Sequence, residues 1–145
     1  MFRAGLVICM VAALAAAEGF TFEIGPPVAS PGYASKTADF VFRTEGCPDL
    51  AKMQVTATAE GLVNGERRSV ALMPRQMTTP GVYAVFHTWP NEGFWVIRLK
   101  GVCGDKTAGA LVPMSARSFK REAAKFFPRP ATDAETDAAL KSFGH

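Results

Sequence analysis

The sequence predicts an all-β fold, an immunoglobulin-like antiparallel β-sandwich of about seven strands with a short two-helix C-terminal extension. Strand-like segments recur at regular spacing and are separated by glycine, proline and asparagine, which is typical of sandwich domains. No helical periodicity falls between them before residue 115, which argues against a parallel sheet with crossover helices. We assign the sandwich to residues 18–114 and the helical extension to residues 115–145.

The first 17 residues have the order of a secretory signal peptide. Arg3 precedes an apolar run from Leu6 to Leu14, and the small side chains of residues 15–17 match a signal-peptidase site. The run is much shorter than the ~20 residues that span a bilayer. We therefore expect cleavage near Ala17 and an exported chain, periplasmic or extracellular. An uncleaved anchor and a lipoprotein built on Cys9 are the alternatives.

Two cysteines remain after cleavage, Cys47 and Cys103. In an exported chain such a pair most simply forms one disulfide. The parity of Cys103 along its strand points it inward and indicates a bridge between the two sheets. A redox-active or metal-binding pair is the alternative, although no C-x-x-C spacing is present.

The strands follow one another in a simple order. The first is stopped by Gly25-Pro26-Pro27, which favours a short edge strand. The third alternates strictly between apolar and polar side chains from Met53 to Glu60, and Asn64-Gly65 after it signals a hairpin turn. The predicted strands cover residues 20–24, 38–45, 53–60, 68–73, 81–88, 94–99 and 108–114.

Residues 81–101 read as a hairpin of two aromatic-rich strands. Joining their apolar faces places Tyr83 opposite Leu99, Val85 opposite Ile97 and His87 opposite Trp95. The outer face then carries Phe86, Val96 and Arg98. These three residues are a candidate surface for a protein partner, and the alternative is that the C-terminal tail covers them.

The tail after Met114 predicts two helices. Phe119, Ala123 and Phe126 have helical spacing, and basic residues lie largely elsewhere. This helix could pack on the sandwich or lie on an anionic membrane surface through residues 115–130. Residues 132–135 (TDAE) form a capping box for a second helix, in which Leu140 and Phe143 give an apolar stripe.

The sequence contains few candidate catalytic residues. Sixteen basic and 13 acidic residues leave a formal charge of +3, too little to indicate nucleic-acid binding. No motif of a hydrolase, zinc protease or phosphate-binding loop is present, so we expect no enzymatic activity and no cofactor.

His87 is interpreted as a core histidine held by a hydrogen bond. The alternative is a copper site formed by His87 with Met73 or Met77.

Two short motifs carry a family resemblance. Residues 80–83 (PGVY) and 93–97 (GFWVI) resemble the YtkA-like and FixH-like exported bacterial domains, with Tyr83 and Trp95 on the matching positions. The resemblance covers roughly residues 38–112 and implies an immunoglobulin-like fold, export and, in some members, a link to copper or oxidase assembly. The expected function is a non-enzymatic exported binding or accessory module whose partner is an envelope protein. A periplasmic copper-handling domain is the alternative.

Overall fold

A computed structural model describes residues 19–26, 38–115 and 118–143. The predicted signal peptide and its cleavage site lie outside these residues, as does Cys9. None of the described helices is long and apolar enough to cross a membrane. The described residues form ten strands and one α-helix: β1 (Thr21–Gly25), β2 (Ala38–Glu45), β3 (Met53–Val63), β4 (Glu66–Leu72), β5 (Arg75–Gln76), β6 (Val82–Phe86), β7 (Phe94–Cys103), β8 (Lys106–Ser115), β9 (Ser118–Phe119), β10 (Lys125–Phe127) and α1 (Asp133–Phe143).

The strands form two antiparallel sheets that face each other. One sheet has the order β1-β2-β6-β5, and the other has the order β10-β8-β7-β3-β4 with β9 paired to β8. A single core of buried side chains lies between them and contains residues from both sheets. Its largest fully buried members include Phe40, Phe42 and Val85 from one sheet and Ile97 and Leu99 from the other.

Several local predictions are confirmed. Asn64 and Gly65 both have positive φ, 51° and 81°, as the tight turn between β3 and β4 requires. Along β3 the side chains of Met53, Ala57 and Ala59 are buried in the core, as the alternation predicts. The strand before Gly25 is an edge strand, since β1 is the terminal strand of its sheet.

The predicted disulfide is also confirmed. Cys47 follows β2 and Cys103 ends β7, and the two are bonded with 5.9 Å between their Cα atoms. Because β2 and β7 belong to different sheets, the bond joins one sheet to the other. It closes a chain segment with a sequence separation of 56.

The predicted hairpin at residues 81–101 is wrong. β6 pairs with β2, where Tyr83 is opposite Phe42, whereas β7 pairs with β3 and β8, where Ile97 is opposite Ala59 and Val112. Residues 87–93 therefore carry the chain from one sheet to the other. With β6 and β7 in different sheets, the apolar faces of both strands are buried in the one core between the sheets.

The first predicted tail helix is also wrong. Residues 118–127 form two short strands separated by a 3-10 turn at Arg121–Ala123. Both strands pair with the free edge of β8, with Phe119 opposite Met114 and Phe126 opposite Ala110. Hydrogen bonds to an open strand edge replace those that a helix would have formed within the segment.

The second predicted helix is present as α1, and its capping box is confirmed. The Thr132 hydroxyl accepts a hydrogen bond from the Glu135 amide at 3.1 Å, and the Glu135 carboxylate accepts one from the Thr132 amide at 2.9 Å. Leu140 is buried against Val96 on the outer face of the larger sheet. The side chain of Phe143, the other predicted member of the stripe, lies outside the described residues.

Candidate functional site

The surface predicted from Phe86, Val96 and Arg98 does not form. Phe86 and Val96 lie on the outer faces of different sheets. Val96 is fully buried beneath α1, and Arg98 donates a hydrogen bond to Asp133 at the start of α1, 2.8 Å away. The C-terminal tail therefore covers Val96 and Arg98, as the alternative interpretation held. Phe86 is half-buried, with the Arg75 guanidinium 5.5 Å above its ring.

His87 is held in place by a hydrogen bond, as the core interpretation predicted. Its Nδ1 lies 2.8 Å from Oδ2 of Asp39, and the two side chains are only 9% and 4% exposed. The imidazole ring packs against Trp89, with 4.1 Å between ring centroids. Its other nitrogen, Nε2, is enclosed and has no hydrogen-bond partner in the structure.

The residues of the copper interpretation do not fit a copper centre. Met73 projects into solvent with 91% of its surface exposed, and Met77 packs with Ala84 on the outer face of the smaller sheet. His87, in contrast, packs against Trp89, which belongs to the core between the sheets. Within the described part of the chain, no three His, Cys, Asp or Glu side chains come close enough to hold a metal ion.

On one flank of the fold, β1 lies beside β10. A cavity of about 490 Å³ is lined by Gly19–Phe22, residues 105–107 and residues 126–128. A second cavity of about 390 Å³ shares Phe22 and Phe126 with the first and continues along the strand to Ile24, Arg121 and Ala124. Together they form one cleft along β1, which we call the β1 groove.

The backbone of β1 points polar groups into this groove. The Thr44 amide donates to the Gly81 carbonyl at 3.4 Å, away from β1, so the pair of Thr44 with Phe22 is of the type without mutual hydrogen bonds. The N–H and C=O of Phe22 therefore point away from β2. Ile24 has the same parity, and its carbonyl accepts a hydrogen bond from the Arg121 guanidinium at 3.0 Å. Two independent contacts thus show that the same edge of β1 points away from β2.

Aromatic side chains give the β1 groove an apolar floor and wall. Phe20 and Phe22 are buried beneath it, with 3% and 5% of their surfaces exposed. Phe126 is opposite Ala110, a core residue, so its side chain points to the inner face of the larger sheet. It is nevertheless 49% exposed.

The charged side chains that line the groove are of both signs. Lys106 and Arg121 are the cations, and Asp105 and Glu23 are the carboxylates. Glu23 is held by Arg43 at 2.6 Å. This hydrogen bond raises the pKa of the Arg43 guanidinium, and the two opposite charges together contribute little net charge.

Sequence reasoning found one wall of this groove and missed the other. The Gly-Pro-Pro stop after Ile24 correctly indicated an edge strand. Helical spacing predicts a helix for Arg121 and Phe126, whereas the structure places both beside β1. The clustering of phenylalanine with lysine and arginine in residues 119–127 fits an edge strand equally well, and it is the one signal that could have pointed to them.

Protein-family models, curated proteins and solved structures yield no match to the chain. The resemblance to the YtkA-like and FixH-like domains therefore stays a prediction. Its two aromatic residues do face inward: Trp95 is 3% exposed, and the ring of the half-buried Tyr83 stacks on Phe42 with centroids 5.3 Å apart.

Proposed function

We propose that the protein is a non-enzymatic, exported accessory module of immunoglobulin-like type that binds an envelope protein through the β1 groove. The groove carries the proposal, because an open strand edge beside an apolar cleft is a surface that folded proteins normally cover. Among the described residues β1 is a short terminal strand of its sheet, and the exposed Phe126 stands beside it.

Export is supported by two features that are independent of the groove. Residues 1–17 have the pattern of a signal peptide. The Cys47–Cys103 bond is of a kind that persists in oxidising compartments and is rare in the cytosol. The bond also fixes the two sheets relative to each other, which keeps the walls of the groove in position.

A binding role rather than catalysis is supported by the state of His87. It is the one histidine among the described residues, and it is tied to Asp39 with its second nitrogen enclosed. A general base must reach a substrate proton directly or through one water. An enclosed imidazole does not meet that requirement.

The proposal is tested by cross-linking in intact cells of the producing organism. The full chain, tagged at its C-terminus, is cross-linked, isolated and analysed by mass spectrometry. A chain that lacks residues 2–17 serves as the control that is not exported. We expect removal of residues 1–17 from the full chain and one stoichiometric envelope protein that the control does not recover. Retention of residues 1–17, or equal recovery of every protein by both chains, would refute the proposal.

A further inference from the structure

We propose that a second recognition surface lies on the flank opposite the β1 groove, where β4 takes an extended segment of another protein as an added antiparallel strand. On that flank β4 is the terminal strand of the larger sheet, whereas β1 and β10 lie together on the other flank. Strand addition to a sheet edge is a general mode of recognition, in which backbone hydrogen bonds give affinity and alternate side chains give specificity. The inference goes beyond the proposed function and does not depend on the β1 groove.

The backbone of β4 presents hydrogen-bonding groups along this edge. The turn between β3 and β4 has two residues, so Val63 and Glu66 are the hydrogen-bonded pair that closes the hairpin. In antiparallel strands such pairs recur at every second residue. The N–H and C=O groups of Arg67, Ser69 and Ala71 therefore point away from β3, and all three residues are exposed. Within the described ranges no strand pairs with this edge.

A second hairpin of the same sheet gives the same alternation. β7 and β8 are joined by a two-residue turn, so Cys103 and Lys106 are the hydrogen-bonded pair that closes it. Counting from this pair across β7 and β3, the residues of β3 that bond to β4 are those with odd numbers, Ala59 among them. Ala59 is opposite Val70. Even-numbered residues of β4 therefore bond to β3, and odd-numbered ones point outward.

The side chains on the core side of β4 form a row that is apolar at one end and charged at the other. Leu72 is buried in the core and Val70 packs against it. Arg68 and Glu66 continue the row toward the turn, because every second side chain of a strand shares one face. Residues directly opposite each other on paired strands are in contact. The complementary strand therefore reads, at every second position, apolar, apolar, acidic and basic.

An apolar cleft receives the first two of these side chains. A cavity of about 350 Å³ lies between the end of β4 and the end of β6 and is lined by residues 70–74, Val85, Phe86 and Thr88. None of these residues is charged. Met73 stands at the rim with 91% of its surface exposed, and methionine is a flexible side chain that adapts to apolar partners.

The charged end of the row is exposed and only loosely paired within the chain. The side chains of Arg68 and Glu66 are 52% and 76% exposed, and their nearest charged atoms are 3.9 Å apart, which is beyond hydrogen-bond distance. A carboxylate opposite Arg68 would therefore add a closer contact. Arg67 is in a different position, because it is held on the outer face by Asp137 at 2.8 Å.

A second copy of the chain fits this edge less well than a different partner does. If two copies of β4 paired about Ser69, Arg68 would lie opposite Val70 and Glu66 opposite Leu72, so charged side chains would meet apolar ones. A shift of the register by two residues would place Arg68 opposite either another Arg68 or Leu72. Inward charges on an edge strand are a general protection against self-pairing, and here they favour a partner with the complementary row.

The test uses protein isolated from cells that express the full chain and a fluorescein-labelled peptide, Val-Thr-Val-Thr-Glu-Thr-Lys, blocked at both ends. Run antiparallel to β4, the peptide places its valines opposite Leu72 and Val70 and its glutamate opposite Arg68. One analogue is N-methylated at the threonine amides, which face β4 in this register. Another is N-methylated at the second valine, the glutamate and the lysine, whose amides face solvent. A fourth peptide has lysine in place of glutamate, and binding is followed by fluorescence anisotropy at low salt.

Strand addition in this register gives a distinctive set of results. Methylation of the threonine amides should lower the affinity at least about tenfold, whereas the other methylated analogue should bind within about twofold of the parent. The lysine peptide should bind about three- to tenfold more weakly, because an exposed charge pair contributes little. A loss confined to the second analogue, equal loss for both analogues, or no binding of the parent peptide would overturn the inference.

Hydrogen exchange tests the edge without any peptide. The amides of Arg67, Ser69 and Ala71 should exchange rapidly, and those of Arg68 and Val70, which bond to β3, should exchange slowly. The parent peptide should slow the first set. Slow exchange of that set in the isolated protein would mean that the edge is already covered, and it would overturn the inference.

Protein variants supply matched controls. Ser69→Pro removes an outward N–H, which an edge strand tolerates, and should weaken peptide binding, whereas Ser69→Ala should bind as the native protein does. Arg68→Glu should reverse the preference between the glutamate and lysine peptides. Lys100→Glu makes the same change of charge at an exposed residue of β7 and should leave the preference as it is. Thermal unfolding shows whether each variant is folded, and the reversal by Arg68→Glu suffices should Ser69→Pro unfold.

Two further measurements separate this surface from its alternatives. Phe126→Glu, in the β1 groove, should leave peptide binding unchanged, so failure of the proposed function would not affect this inference. Loss of peptide binding in Phe126→Glu would place the peptide in the β1 groove and overturn it. Sedimentation should show a monomer, and a dimer that Ser69→Pro dissociates would show that β4 pairs with a second copy, which would also overturn the inference.

Discussion

Reduction of the disulfide between Cys47 and Cys103 should cost this protein a large part of its stability. The bond closes a segment with a sequence separation of 56, and the chain-entropy model gives roughly 4 kcal/mol for a loop of this length. Small domains have a total free energy of unfolding of about 5–15 kcal/mol. We therefore expect the reduced protein to be folded but markedly weakened.

The assay is equilibrium unfolding in urea with and without a reducing agent, followed by tryptophan fluorescence. Trp89 and Trp95 are both buried in the core, so both report global unfolding. The dependence of the free energy on urea should steepen on reduction, because the unlinked chain exposes more surface when it unfolds. The same sequence is compared in both states, so the difference isolates the cross-link.

A Cys47→Ala, Cys103→Ala double variant is the control. It should unfold identically with and without reductant and resemble the reduced native protein to within about 1 kcal/mol. A loss of less than about 1 kcal/mol on reduction would refute the loop-closure reasoning. Two free thiols in protein taken directly from the producing cells would contradict the disulfide and, with it, the support for export.

Three further predictions concern packing, pH and metal. Gly61→Ala should cost about 1–3 kcal/mol in urea unfolding, because a Cβ there would lie 2.5 Å from the Trp95 ring. Gly25→Ala is the control: its Cβ would lie 3.8 Å from the nearest neighbouring atom, so stability should change by less than about 0.5 kcal/mol. Equal losses for the two variants would contradict this packing. The Arg129 guanidinium lowers the pKa of Glu135 from 4.5 to about 2, chiefly through a side-chain hydrogen bond. The carboxylate is favoured in the folded state, so its stabilisation is complete above pH 4.5 and is lost as the pH falls toward 2. The melting temperature of Glu135→Gln should therefore fall below that of the native protein at pH 6 and converge with it near pH 2, and a pH-independent difference would exclude the ion pair as the cause. Calorimetric titration with Cu(I) and Cu(II) should show no bound metal, and one tightly bound equivalent would contradict the geometry of the methionine and histidine candidates.

Local signals in the sequence were sufficient where a few neighbouring residues fix the structure. The Asn64-Gly65 turn and the capping box of Thr132 and Glu135 depend on backbone conformation and hydrogen bonds within four residues. The inward parity of Cys103 likewise follows from the period of one strand. These features were predicted correctly because no distant partner can change them.

The pairing of strands was not determined in the same way. The aromatic strands at residues 82–86 and 94–103 satisfy a hairpin pattern, yet they lie in different sheets. Alternation states which face of a strand is apolar but not which strand lies beside it. That choice depends on how the whole set of apolar faces closes one core, and here Trp89, placed in a loop by the sequence prediction, is buried where the chain crosses between sheets.

The candidate site depended on the same kind of long-range choice. The spacing of Phe119 and Phe126 suits a helix, but the free edge of β8 offers the segment hydrogen bonds in an extended form. Only that pairing brings Phe126 beside β1 and Arg121 to the Ile24 carbonyl. No local pattern contains this information, since the partners are about 100 residues apart.

The amino-acid sequence by itself determined that the chain is mostly β, that its first strand ends at an edge, that Cys47 and Cys103 bond, and that a capped helix closes the chain. These properties follow from short-range conformational preference and from burial of one face per strand. Only the tertiary structure decided which strands are neighbours and therefore where the β1 groove lies, because neighbours are chosen by the free energy of closing one shared core.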